Sequence, residues 1–226
     1  MKSYLASLTT FFVILNASLR GLQGAEIYSN LGAPDSSSNA AIGYNNSANS
    51  NVIYAQGFTT GSSLYVIDSV DLPLGVSGAG NGSPKLKIYS DNAGKPGTEL
   101  EATFTNPTFG TQSLYNLSLA TPFALSASTS YWMVLSDSTA SSQTKFNWYY
   151  SDTFSSPTAR NGSGLTFLAA ARSLNGGSTW ATNSAFAQTG ISINATAVPE
   201  PTTYALATFA TGMMAVVARR RKARKA

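Results

Sequence analysis

Between residues 26 and 197 the chain is cut into short apolar runs, each ended by Gly, Pro, Asn or Ser before it reaches helical length. Runs of roughly four to eight residues with a period of two form strands, whereas an amphipathic helix needs a longer segment with apolar positions three and four apart. "SLYVIDSVDLPL" (Ser63–Leu74) sets Leu64, Val66, Val70 and Leu72 on one side of a strand. "PKLKIYS" (Pro84–Ser90) alternates Lys85, Lys87 and Tyr89 against Leu86 and Ile88, and "DNAGKPG" then turns the chain through Gly94, Pro96 and Gly97. Further strands are predicted over 51–60, 99–105, 113–119, 130–136, 145–151, 164–173 and 189–197, with the polar stretch 32–50 as an exposed loop. Strands at this spacing predict an all-β domain, an antiparallel β-sandwich of jelly-roll-like order.

Charge has to be located before it is interpreted. The formal net charge is +4, but Arg219, Arg220, Arg221, Lys222, Arg224 and Lys225 crowd the last eight positions. From 26 to 197, nine acidic residues face six basic ones, so the body is acidic and no basic stripe for nucleic acid follows. Cysteine and histidine are both absent. Their absence removes disulfides, thiolate or imidazole zinc sites, the cysteine nucleophile and the commonest general base, leaving carboxylates, lysine and hydroxyls for any chemistry.

The two ends read as addresses. "MKSYLASLTTFFVILNASLRGLQGAE" has Lys2, an uncharged stretch with "LTTFFVIL" at its centre, and small residues at Gly24 and Ala25, the order of a secretory signal peptide. It predicts cleavage after Gly24 or Ala25, by signal peptidase after passage through the secretion machinery. At the other end, Thr202–Ala218 is uncharged for 17 residues, about 26 Å as a helix and thus at the short limit for spanning a bilayer core. The basic tail at 219–226 holds that end on the cytoplasmic side, with the body outside. Pro199 and Pro201 keep Glu200 on an extended stalk just before the helix, since proline has no N–H for ladder or helix.

"VPEP" at Val198–Pro201, followed by the apolar run and the arginine cluster, resembles the PEP-CTERM sorting domain of Gram-negative bacteria. The resemblance implies an exosortase as partner, processing near the Pro-Glu-Pro motif, a transient stay in the inner membrane and delivery to the cell surface or extracellular matrix. Within the body, "YAQGFTTGSSLYVIDSVDLPL", "SPKLKIYSDNAGKPGTEL" and "TPFALSASTSYWMVL" resemble an extracellular β-sandwich known as a choice-of-anchor domain, of the R type. That resemblance implies a surface module and brings no catalytic residues with it. The chain thus divides into a signal peptide (1–25), an extracellular domain (26–197) and a sorting signal (198–226).

Three clusters in the body invite a site. Glu99 and Glu101, at i and i+2 on a strand, share a face as a glycosidase pair would, but they follow a turn and read as a solvated edge. Asp68 and Asp71 fall on opposite faces of a regular strand. "SDNAGKPG" has the oxygen-rich look of a Ca²⁺ loop without its repeated acids, so a hairpin turn is expected there and no cofactor ligands are assigned. Among the aromatics of 131–150, Trp132 and Trp148 are expected in the core, while Tyr149 is the candidate for stacking on a polysaccharide. The expected activity is non-enzymatic: a structural or adhesive module, with carbohydrate binding through exposed aromatics as the alternative.

Overall fold

A computed structural model of the chain describes residues 25–29, 31, 39–45, 50–76, 82–105, 110–138, 145–149, 165–182 and 189–198. Residues 1–24 of the expected signal peptide and the expected C-terminal helix lie outside these residues, and Ala25 opens the first strand. Among the described residues no helix is long and apolar enough to cross a membrane.

The described chain is all-β. Twelve strands run in order: β1 (Ala25–Ser29), β2 (Asn39–Asn45), β3 (Ser50–Thr60), β4 (Leu64–Val76), β5 (Pro84–Asp91), β6 (Pro96–Glu99), β7 (Ser113–Leu125), β8 (Ser130–Asp137), β9 (Lys145–Tyr149), β10 (Leu165–Ser173), β11 (Ala181–Thr182) and β12 (Ser192–Val198). All pairings are antiparallel, and hydrogen bonding links the strands into one sheet. Two long strands curl it. The start of β3 pairs with β2 through Ser50–Val52, and the strand then runs on between β10, paired from Ile53 to Thr60, and β8, paired from Tyr54 to Thr59. Likewise β4 pairs with β12 over Leu64–Asp71 and with β9 over Leu74–Val76, with β7 along its opposite edge. One limb therefore contains β1, β12, β4, β7, β9 and β2, and the other contains β11, β10, β3, β8, β5 and β6.

The two limbs share a core. Ile67, Leu72 and Leu74 of β4, Leu117 of β7, Trp148 of β9 and Ile193 of β12 join Phe58 of β3, Ile88 of β5 and Met133 of β8 in one buried cluster. Each such side chain contributes about 1.5–3 kcal/mol by leaving water. Phe58 and Tyr131 are cross-strand partners with ring centroids 5.9 Å apart. The alternation expected in β5 holds, with Leu86 and Ile88 buried. On the other face of the β3–β8 limb, Ile53, Ala55, Trp132, Val134 and Ala171 form a second buried cluster, edged by Tyr89, Leu168 and Trp180. β8 is thus covered on both faces, which explains why "YWMVL" reads as an unbroken apolar run rather than an alternating one.

Three local expectations change. The stretch 32–50 is not all loop: β2 lies within it, inserted between β3 and β9, with Ala40 and Ile42 buried. The strand expected over 99–105 is shorter and earlier, since β6 ends at Glu99 and Phe104 makes only an isolated bridge to Leu119. In β4 the buried row is Tyr65 and Ile67, then Val70, Leu72 and Leu74, leaving Leu64 exposed and Val66 half-buried. Against β12, whose Asn194 and Ala195 face Ser69 and Ile67, β4 carries one extra residue at Asp68, and this bulge reverses the inward parity.

Candidate functional site

The C-terminal end of the sheet meets the sorting signal directly. β12 is not an edge strand: Ser192–Ala195 pairs with β1 on one side, and Ser192–Val198 pairs with β4 on the other. Its last ladder position is Val198 opposite Leu64. Pro199 follows, and a residue without an N–H cannot extend the ladder as a donor. Glu200, Pro201 and the basic residues Arg219, Arg220, Arg221, Lys222, Arg224 and Lys225 lie outside the described residues.

Several of the described carboxylates are engaged in structure. Glu99 pairs with Lys87 at 2.9 Å and accepts a hydrogen bond from the Tyr89 hydroxyl at 3.3 Å. The Lys87 ammonium holds its carboxyl below the usual range, the opposite of what a proton donor needs. Glu101 lies beyond β6 in an exposed bend. Asp68 and Asp71, expected on opposite faces, are brought to the same face by the β4 bulge. Asp71 accepts from the amides of Asn116 (2.7 Å) and Asn194 (2.9 Å), and Asn194 also donates to Ser69. Thr196, two residues along β12, reaches Asp68 at 3.5 Å. This row ties β7, β4 and β12 together. No group of three or more acidic side chains that could hold a metal ion occurs among the described residues.

The aromatics divide differently from expectation at one position. Trp132 and Trp148 are fully buried, as expected. Tyr149, the expected stacking residue, is also buried: its ring lies against Gly75, where an added Cβ would come within 2.9 Å of it, and Gln112 closes the same spot. It has no open face for a ligand. The half-buried tryptophan is Trp180, which the sequence reading passed over because it stands alone in the polar run "SLNGGSTWATN".

Trp180 forms part of a polar cleft of about 660 Å³ between two turns. One wall is the β5–β6 hairpin. Asn92 and Lys95 exchange backbone bonds of 2.8 and 3.2 Å around Ala93 (φ 52°) and Gly94 (φ 77°), the left-handed pair that a two-residue hairpin loop requires. The opposite wall is the turn after β10. Buried Ser173 organises it, its Oγ accepting from the backbone N–H of Asn175 (3.3 Å) and Gly177 (2.8 Å) and donating to the Asn175 side chain (2.9 Å). Asn175 in turn accepts from the Thr179 N–H and donates to the Thr179 hydroxyl. Gly176 and Gly177 supply the positive φ values (70° and 91°) that this path needs. At the base, the Trp132 indole N–H donates to Asp91 at 2.7 Å, and the Gly94 N–H donates to the other carboxylate oxygen at 3.1 Å.

An all-β body whose sheet runs without interruption to a Pro-Glu-Pro segment defines a class, a folded module carrying a C-terminal sorting signal. That signal is identified by residues 197–222, which match the family described as the PEP-CTERM protein-sorting motif. The motif implies an exported protein, membrane-anchored as a precursor, that an exosortase sorts toward the cell surface. No curated protein matches the chain.

Proposed function

We propose that the protein is a non-enzymatic module of the cell envelope or extracellular matrix, exported through its N-terminal signal peptide and processed by an exosortase within Val198–Pro201. In this reading the body is a β-sandwich of the choice-of-anchor kind with a structural or adhesive role. The inner membrane holds the precursor through 202–218, with the basic tail inside. The observation that carries the reading is the abutment of fold and signal. β12 fills its ladder up to Val198, and the sorting match begins at residue 197. A cut at or after Pro199 leaves every strand in place, whereas a cut a few residues earlier would remove part of a strand flanked on both sides. Intact-mass analysis of the protein recovered from the surface of its own cells tests this. A C-terminus between residues 198 and 200, absent when the exosortase is deleted, is expected; recovery of chains still carrying 202–226 would overturn the processing step.

A further inference from the structure

We infer that the cleft between the β5–β6 hairpin and the 174–180 turn is a saccharide-binding site, with Trp180 as the stacking platform and Asp91 as the fixed acceptor for sugar hydroxyls. This rests on the export reading only in that an exported domain meets polysaccharide.

The chemistry of the lining selects the ligand class. Small-molecule sites span roughly 300–1,000 Å³ and are usually apolar with a few polar groups. This cleft has a comparable size but the reverse lining, with hydroxyls, an amide, one ammonium, one carboxylate and a single indole. A ligand matching it presents many hydroxyls and one apolar face. A sugar ring has both, its axial C–H bonds forming a patch that lies on an aromatic plane. A free metal ion fits poorly, because Asp91 is the one carboxylate among the lining residues. An anion fits poorly too, because that carboxylate is held in place at the base.

The geometry is built in advance of any ligand. A carboxylate has about four acceptor positions, and Asp91 spends one per oxygen on Trp132 and Gly94, which fixes its orientation and leaves the others for hydroxyl donors. Trp132 is itself immobile, fully buried in the outer cluster opposite Gly57. Trp180 packs against that same cluster while remaining partly open to the cleft. The Ser173–Asn175 network holds the backbone that carries it. Asn92 and Lys95, exposed on the hairpin turn, make no side-chain bond among the described residues and can donate to ring and hydroxyl oxygens. A pre-ordered site loses less entropy on binding than one assembled by the ligand.

Isothermal titration calorimetry of the full-length protein in detergent, with cellohexaose, laminarihexaose and chitohexaose as separate probes, tests the site. Saturable binding of at least one probe is expected, weakened about tenfold or more in Trp180→Leu, which keeps the apolar cover of the outer cluster but has no flat ring. Should Trp180→Leu fail to fold, Asn92→Ala with Lys95→Ala, on an exposed turn, serves as the second variant and is expected to weaken binding severalfold. Absence of saturable heat with all three hexasaccharides up to about 10 mM overturns the inference, as does unchanged binding in the folded variants. Either failure leaves the mass-spectrometric test of processing untouched, so the two readings fall separately.

Discussion

Two indoles in this fold are equally buried, yet their loss has unequal consequences. Trp132 and Trp148 are both at 0% exposure, and each donates one hydrogen bond, to the Asp91 carboxylate at 2.7 Å and to the Gly190 carbonyl at 2.8 Å respectively. Replacing either by Phe removes the same ring atoms. The void, on the order of 40 Å³ at ~24 cal/mol per Å³, costs about 1 kcal/mol in both cases and cancels in the comparison. Bond strength alone would make Trp132 the more important, since a hydrogen bond to a charged group contributes about 1.5–3 kcal/mol against about 0.5–1.5 for a neutral one. What happens to the abandoned acceptor reverses the order. Asp91 is half-exposed, keeps its bond from Gly94, and can take up water. Gly190 is buried, and its bond from the Trp148 indole is buried as well, so its carbonyl is left without solvent when the indole is removed. An orphaned buried acceptor costs about 1–3 kcal/mol. We therefore expect Trp148→Phe to lower the unfolding free energy by about 2–4 kcal/mol and Trp132→Phe by about 1–2.5. Urea denaturation followed by far-ultraviolet circular dichroism measures both. A Trp132→Phe loss equal to or larger than that of Trp148→Phe would refute the reasoning, because charge would then outweigh burial.

Two further perturbations follow from local geometry. Ala93 occupies the left-handed region, where an L residue costs about 1–2 kcal/mol; Ala93→Asn creates an Asn-Gly pair at a two-residue hairpin and should raise the melting temperature by roughly 2–4 °C, readable by calorimetry. Glu99 titrates below its ordinary value of 4.5 in the folded state because of Lys87, so its contribution is present above that value and fades as pH falls through the folded pKa. Because Glu99 is exposed, Glu99→Gln should cost no more than a few tenths of a kcal/mol at pH 7, and the difference should shrink as the pH is lowered below 4.5 in parallel urea titrations.

How far the sequence could be read depended on whether information was local. β5 and β8 were legible because their inward residues alternate, or run apolar, over a whole strand. β2 was not, because "NAAIGYN" has small side chains and one β-branched residue within an Asn/Ser-rich stretch, and its partners β3 and β9 decide its place. The β4 bulge is equally non-local: nothing in "VIDSVD" announces that Asp68 and Asp71 share a face until β7 and β12 are laid alongside. The sorting motif was legible because it is a linear address. The cleft was invisible because its walls, 90–98 and 177–180, are distant in the chain, and because Trp180 has no periodic neighbour to mark it. Tyr149 misled for the converse reason, since its exposure is removed by Gly75 from another strand.

The position of β12 has a mechanical meaning. A surface protein tethered through its C-terminus feels drag from flow and from neighbouring polymer, and that force enters the fold at Val198, along the axis of the strand. Had β12 been an edge strand pulled from its free side, the load would fall on one hydrogen bond after another and the sheet would unzip. β4 flanks it from Ser192 to Val198 and β1 from Ser192 to Ala195, so a pull directed along the strand axis loads two antiparallel ladders in shear rather than one. The point at which the precursor is anchored thus leads into a strand that the sheet holds by two ladders rather than by one.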